Sequence, residues 1–223
     1  MHDPLFRPIQ INSLHIQNRI YLPAMHLNMA DQGQVTEYIK AFYARRAKGG
    51  AGVICVGYAS VDEQSGSSLN IGAHRDEFIP GLNELAQSIR DNGAKSCVQL
   101  NHAGRYNFSF FMDGQQAVAP SALTSKLTGE QPRALKVEEI QSIIQRFGQA
   151  AARVREAGFD AVEILAGTGY LISEFISPLT NQRQDEYGGS FANRMRFALE
   201  VLGAVRAYAG TDFPLVVRMN GND

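Results

Sequence analysis

The chain has 223 residues, of which 44% are apolar and 19% charged, the balance of a folded soluble protein and not of a disordered tail. Lys and Arg number 21 against 22 Asp and Glu, so a net charge of −1 leaves no electrostatic footprint for nucleic acid or an anionic membrane. Two cysteines cannot build a disulfide framework, no apolar run reaches the about 20 residues of a membrane helix, and the first residues lack a signal-peptide core, so a reducing, cytoplasmic setting is expected.

Residues 9–16 alternate with period two around a turn and predict a small hairpin, and residues 18–25 read as a short apolar strand. Thr36 then caps a helix in which Ile39, Phe42 and Tyr43 share one face. Residues 52–57, Gly-Val-Ile-Cys-Val-Gly, read as a buried strand. Asp76 is the expected cap of a second helix carrying Ile79, Leu82, Leu85, Ala86 and Ile89, ending near Gly93. A third strand spans 95–100. The strongest helical pattern covers 137–157, with Ile140, Ile143, Ile144, Phe147, Ala151 and Val154 on one face and Gly158 as its stop. A fourth strand over 160–165, a helix capped by Ser190 and stopped by Gly210, and a fifth strand over 214–219 complete the series. Strands apolar on both faces, each followed by a helix, point to parallel pairing between layers.

Helix-to-strand connections are tight, whereas those leaving the carboxyl ends of the strands, 58–75, 101–136 and 166–189, are long. In α/β architectures ligands bind where such loops emerge. The asymmetry predicts a (β/α) barrel or an open α/β sheet with one elaborated face. Five strands fall short of a complete eight-stranded barrel, which takes about 250 residues.

Several motifs carry no chemistry. Ala166-Gly-Thr-Gly-Tyr-Leu-Ile172 has Ile172 where a dinucleotide fingerprint needs a third glycine. Gly49-Gly-Ala-Gly52 precedes its strand and reads as a turn. Cys55 and Cys97 fall inside strands and read as small buried hydrophobes. His26 and His102 lie just past strand ends, and Gln99 and Arg218 are polar residues in otherwise apolar strands, placed to reach a ligand at the strand tops. By position alone, Tyr170 reads as a loop anchor that bonds through its hydroxyl, with a general acid as the alternative.

Gln99-Leu-Asn-His-Ala-Gly-Arg105, Ala119-Pro-Ser-Ala122, Gly169-Tyr-Leu-Ile172 and Asn181-Gln-Arg-Gln-Asp-Glu-Tyr-Gly-Gly-Ser-Phe-Ala-Asn-Arg194 together resemble the Old Yellow Enzyme family of FMN-dependent oxidoreductases. His26 and the Asn-His-Ala-Gly-Arg-Tyr stretch look most like the branch of 2,4-dienoyl-CoA reductase and trimethylamine dehydrogenase. The resemblance implies a (β/α)₈ TIM barrel closed below by an N-terminal hairpin. Residues 1–223 would supply its FMN-binding strands 1 to 5, with strands 6 to 8 outside the chain. It implies FMN reduced by NADH or NADPH, and an iron–sulfur cluster only if a C-terminal segment follows. Pro23, Ala24 and Met25 would offer backbone to the flavin ring, Gly57 and Tyr58 would line it, Gln99 would bond its pyrimidine edge, and Arg218 would lie by N1 and O2. Tyr170 aligns with the catalytic proton donor, and His26, Tyr58 and Thr168 with the substrate pocket. No metal site is implied.

One departure shapes the expected activity. The pair that grips an enone carbonyl in many members is replaced by Leu165 and Thr168, which favours a dienoyl thioester or related small-molecule substrate. The expected function is ene-reduction, with an amine dehydrogenase of the same branch or a non-catalytic barrel fragment as alternatives, and a homo-oligomer as the expected assembly.

Overall fold

The computed structural model describes residues 4–221. A hairpin of β1 (Ile9–Ile11) and β2 (Leu14–Ile16) is followed by β3 (Tyr21–Leu22), α1 (Glu37–Lys48), β4 (Val53–Ser60), β5 (Ile71–Gly72), α2 (Ile79–Asp91) and β6 (Lys95–Asn101). A two-strand pair, β7 (Val118–Ala119) and β8 (Arg133–Ala134), lies in the long loop before α3 (Val137–Glu156). The chain then runs through β9 (Ala161–Leu165), α4 (Leu171–Ile176), α5 (Phe191–Ala209) and β10 (Leu215–Arg218).

The sheet is parallel in the order β3-β4-β6-β9-β10, with β5 appended to the end of β4. Its long strands follow one another in chain order with helices between, the connectivity of consecutive βα units and part of a barrel. Alternate residues divide the strands between two faces. Ile54, Val56, Val98, Leu100, Val162 and Ile164 join the helices in the main core. Cys55, Cys97 and Ala161 point the other way and pack on Leu14 and Ile16, so the hairpin plugs the concave side from below. β10 closes the described sheet as a half-exposed edge.

The helices form where the sequence places them. Thr36 accepts a hydrogen bond from the Ile39 N–H at 3.4 Å, and Ser190 from that of Asn193 at 3.2 Å. Two details differ from expectation. Asp76 caps nothing: a 3-10 turn, Asp76–Phe78, leads into α2, and the Asp76 carboxylate pairs with Arg153 at 2.6 Å. The first strand is only Tyr21–Leu22, because the following residues diverge from β4 until His26 meets Gly57 in an isolated bridge. No helix among the described residues is long and apolar enough to cross a membrane.

Candidate active site

The concave face of the sheet carries a buried polar network. Gln99 donates through Nε2 to Glu163 Oε1 at 2.6 Å, and Tyr21 donates its hydroxyl to Glu163 Oε2 at 2.8 Å. Gln99 and Glu163 are register partners on β6 and β9. Both carboxylate oxygens therefore accept, and Gln99 is left with a carbonyl end that accepts no hydrogen bond among the described residues. Burial, chiefly, pushes the Tyr21 phenol far above its ordinary value, and the neighbouring cysteines and Glu163 add to it.

Around the tops of the strands the predicted residues converge. The register of β4 against β6 shifts between Val56 and Ala59, and this irregularity re-aims Gly57 and Tyr58. Gly57 must be glycine, because a Cβ there would stand 2.2 Å from that of Ala24. This close approach packs the 23–26 segment against β4. Pro23 and Met25 remain exposed on it, with Ala24 half-buried.

Aromatic rings form a row along this rim. His26 packs on Tyr58 with centroids 5.2 Å apart, Tyr58 on Tyr170 at 5.9 Å, and Tyr170 on Tyr106 at 5.9 Å, all edge-to-face. Tyr170 is the residue before α4, and Gly169 precedes it at φ +83°. A side chain at 169 would also collide with the Tyr106 ring, its Cβ falling 2.5 Å from the nearest carbon. Glycine there allows Tyr106 to brace Tyr170. The Tyr170 hydroxyl makes no hydrogen bond among the described residues. Burial, with Tyr106 adding to it, raises its pKa, so the phenol stays protonated at neutral pH.

Thr168 lies at the outer edge, exposed and left-handed at φ +59°, its N–H bonded to the Asn220 side chain at 3.0 Å. Leu165 is buried. Arg218 ends β10, half-buried, with no ion pair or hydrogen bond to its guanidinium among the described residues.

His102 is not part of this rim. Its Nδ1 accepts the Gly104 N–H at 3.0 Å, and its Nε2 faces Asp62 Oδ1 at 3.6 Å, while Asp62 Oδ2 pairs with Arg146 at 2.9 Å. Burial pulls His102 below its ordinary value against the pull of Asp62. Burial alone would raise Asp62, but His102 and Arg146 hold its carboxyl below the usual range. The trio ties the loop after β4 to the loop after β6. Cys55 and Cys97 are fully buried and pack as small hydrophobes, and desolvation, with Cys97 beside it, pushes the Cys55 thiol up. Among the described residues no group of three or more His, Cys, Asp or Glu side chains could hold a metal ion.

Glu163, Tyr106 and Asn70 belong to the site and were not singled out by the sequence reading. Glu163 was legible on the criterion that exposed Gln99 and Arg218, a polar residue in an apolar strand. Asn70, which contacts His26 at 3.0 Å, sits in a long loop where no periodicity marks it.

Residues 4–223 match the family model described as NADH:flavin oxidoreductase / NADH oxidase. A metal reductase of Desulforamulus reducens is 49% identical over 98% of this chain and 33% of its own length. Among solved structures, a 2-naphthoyl-CoA reductase in complex with 2-naphthoyl-CoA superposes with TM-score 0.93 at 33% identity, over 98% of this chain and 35% of that one. Morphinone reductase in complex with tetrahydroNAD superposes with TM-score 0.92 at 31% identity, over 98% and 64%. The chain thus spans between about a third and two thirds of the length of these relatives.

Proposed function

This chain belongs to the NADH:flavin oxidoreductase / NADH oxidase family, and from that premise we propose that it forms the first part of an FMN-dependent, NAD(P)H-driven reductase of activated carbon–carbon double bonds. FMN, when bound, would supply the two-electron chemistry that carries hydride from a nicotinamide to the β-carbon of an activated alkene. The residues present fit that group. An unpaired guanidinium at Arg218 and an unused carbonyl end on Gln99 make a donor and acceptor set suited to a pyrimidine edge carrying negative charge. Gln99 and Arg218 would hold that edge, Pro23, Ala24 and Met25 would offer backbone, and Gly57 and Tyr58 would line the ring.

One observation carries the reading: Tyr170 has its ring clamped between Tyr58 and Tyr106 and its hydroxyl unbonded. A loop anchor would use that hydroxyl; a proton donor keeps it free. Tyr170 delivers its proton to the α-carbon as the β-carbon receives hydride, and takes a proton back from solvent on its open side. Leu165 cannot donate to a substrate carbonyl, and Thr168 lies at the exposed edge. A thioester, held along its own length, suits such a pocket better than a small enone. The likeness to a reductase solved with 2-naphthoyl-CoA supports this class.

The test is turnover by the full-length, FMN-loaded protein. NAD(P)H-dependent loss of a dienoyl thioester, with no oxidation of a tertiary amine, supports the proposal. Amine oxidation without alkene reduction overturns it in favour of the dehydrogenase alternative.

A further inference from the structure

We infer that Asn70 is a positioning residue that holds His26 as a neutral imidazole with its proton on Nδ1, and so keeps a second acid out of the active site; this rests on the reading of that site given above. Asn70 is 3% exposed and ends the loop that precedes β5. Its Oδ1 accepts the Ser67 N–H at 2.8 Å and the Ser67 hydroxyl at 3.0 Å. A backbone N–H can only donate, so the amide's oxygen must face Ser67 and its nitrogen must face away. That nitrogen stands 3.0 Å from His26 Nε2. An amide NH₂ is likewise a donor only, so Nε2 must offer its lone pair. A proton on Nε2 would set two donors against each other. The imidazole is therefore neutral and carries its hydrogen on Nδ1.

No charged side chain lines the pocket beside His26 to impose a different choice. The small cavity beside His26 is lined by Asn28, Tyr43, Gly57, Tyr58 and Asn70 together with aliphatic side chains, and by no Asp, Glu, Lys or Arg. The Tyr43 hydroxyl is already committed, to the Gly57 N–H at 3.1 Å and the Met25 carbonyl at 3.5 Å. Partial burial of the ring lowers the His26 pKa, against a hydrogen bond with Asn28 that raises it, although part of the ring stays exposed. Burial raises the Tyr58 pKa, and Asn70 draws it down against that burial. The amide thus sets the imidazole at the end of the aromatic row, and protonation of the substrate is left to Tyr170.

The test replaces Asn70 by aspartate. A carboxylate still accepts from Ser67, so the loop keeps its turn, but it presents an acceptor to His26 where the amide presented a donor. The readout is nitrogen NMR of the full-length, FMN-loaded protein labelled in histidine, with the His26 signals assigned by their loss in His26→Gln. In the native protein Nδ1 is expected to be protonated and Nε2 bare near neutral pH. In Asn70→Asp the His26 pKa should rise by about 1 pH unit or more, with both nitrogens protonated below it. Asn70→Ala, which offers neither donor nor acceptor, should give a mixture of tautomers. Alkene turnover by Asn70→Asp should gain a pH limb at the new His26 pKa, and Asn70→Ala should gain none. A native His26 protonated on Nε2, or identical titrations in the native protein and Asn70→Asp, overturns the assignment. If Asn70→Asp does not fold, the native spectrum and Asn70→Ala still decide. Because the spectra need no substrate, a native protein that fails to reduce alkenes while showing the predicted tautomer refutes the site reading and leaves Asn70 in its role.

Discussion

Gln99 and Glu163 face each other from adjacent strands at 2.6 Å, both about 3% exposed, with Tyr21 closing the far side of the carboxylate at 2.8 Å. Both carboxylate oxygens accept, so this contact decides which end of the Gln99 amide is turned toward the carboxylate and which is left for a ligand. On the proposed reading, the carboxylate behind Gln99 would share in flavin binding without touching the flavin.

Glu163→Gln should therefore loosen the orientation of Gln99 while keeping the packing. Retention of FMN by the full-length protein, read by fluorescence titration, is expected to weaken by about two- to tenfold, the worth of one ordinary hydrogen bond. Glu163→Ala strands two buried donors at about 1–3 kcal/mol each and should lower the melting temperature markedly. Unchanged FMN affinity in Glu163→Gln would remove Glu163 from that role.

Arg218→Ala should lower the flavin reduction potential. An unpaired guanidinium stabilises the added charge of the reduced form by about 1.5–3 kcal/mol, which is roughly 30–60 mV for a two-electron couple. Spectroelectrochemistry of the full-length protein measures this, and a shift below about 10 mV would free Arg218 from the assignment.

The buried pair of His102 and Asp62 makes stability depend on pH. Both groups have folded pKa values below their ordinary ones, so each contributes stability above its unfolded pKa and loses it as pH falls. For His102 the loss begins near pH 6.5, and for Asp62 near pH 4. Melting temperature should fall between about pH 7 and 5, and His102→Gln should melt lower at pH 7 with a flatter pH dependence across that window. Parallel curves for the two proteins would refute His102 as the responsible group.

Gly169→Ala should cost stability twice over, since alanine resists φ +83° and its Cβ meets the Tyr106 ring. A loss of about 1–3 kcal/mol is expected in denaturant melts. Alkene turnover should fall further than NAD(P)H consumption with a quinone acceptor, because the displaced ring is the one that braces Tyr170.

The strands and helices were legible because buried parallel strands are apolar on both faces and amphipathic helices repeat every 3.6 residues. What was lost lies in the loops. The turn at Asp76 reads as a cap until Phe78 is seen wedged beside Gly33 and Gly72. α4 is six residues long, too short for periodicity to register, and it begins directly after the residue that matters most. Tyr170 itself reads by position as an anchor, because the distinction from an acid depends on whether its hydroxyl has a partner. His102 looked as well placed as His26, yet its side chain turns inward to Asp62. Asn70 acts entirely through hydrogen bonds to residues 3 and 44 positions away, a relationship no linear pattern carries.

Protonation of the substrate by Tyr170 is tested by stopped-flow kinetics of Tyr170→Phe in the full-length, FMN-loaded protein. The hydroxyl has no hydrogen bond to lose, so stability should change by less than about 0.5 kcal/mol. Flavin reduction by NAD(P)H should proceed at the native rate, because no proton from the phenol is needed there. Reoxidation by an activated alkene should slow by about 10²–10⁴, the usual loss on removing a general acid, while reoxidation by a quinone is spared. An alkene rate within about threefold of the native one, far short of that range, would exclude Tyr170 as the proton donor and leave it as a packing residue.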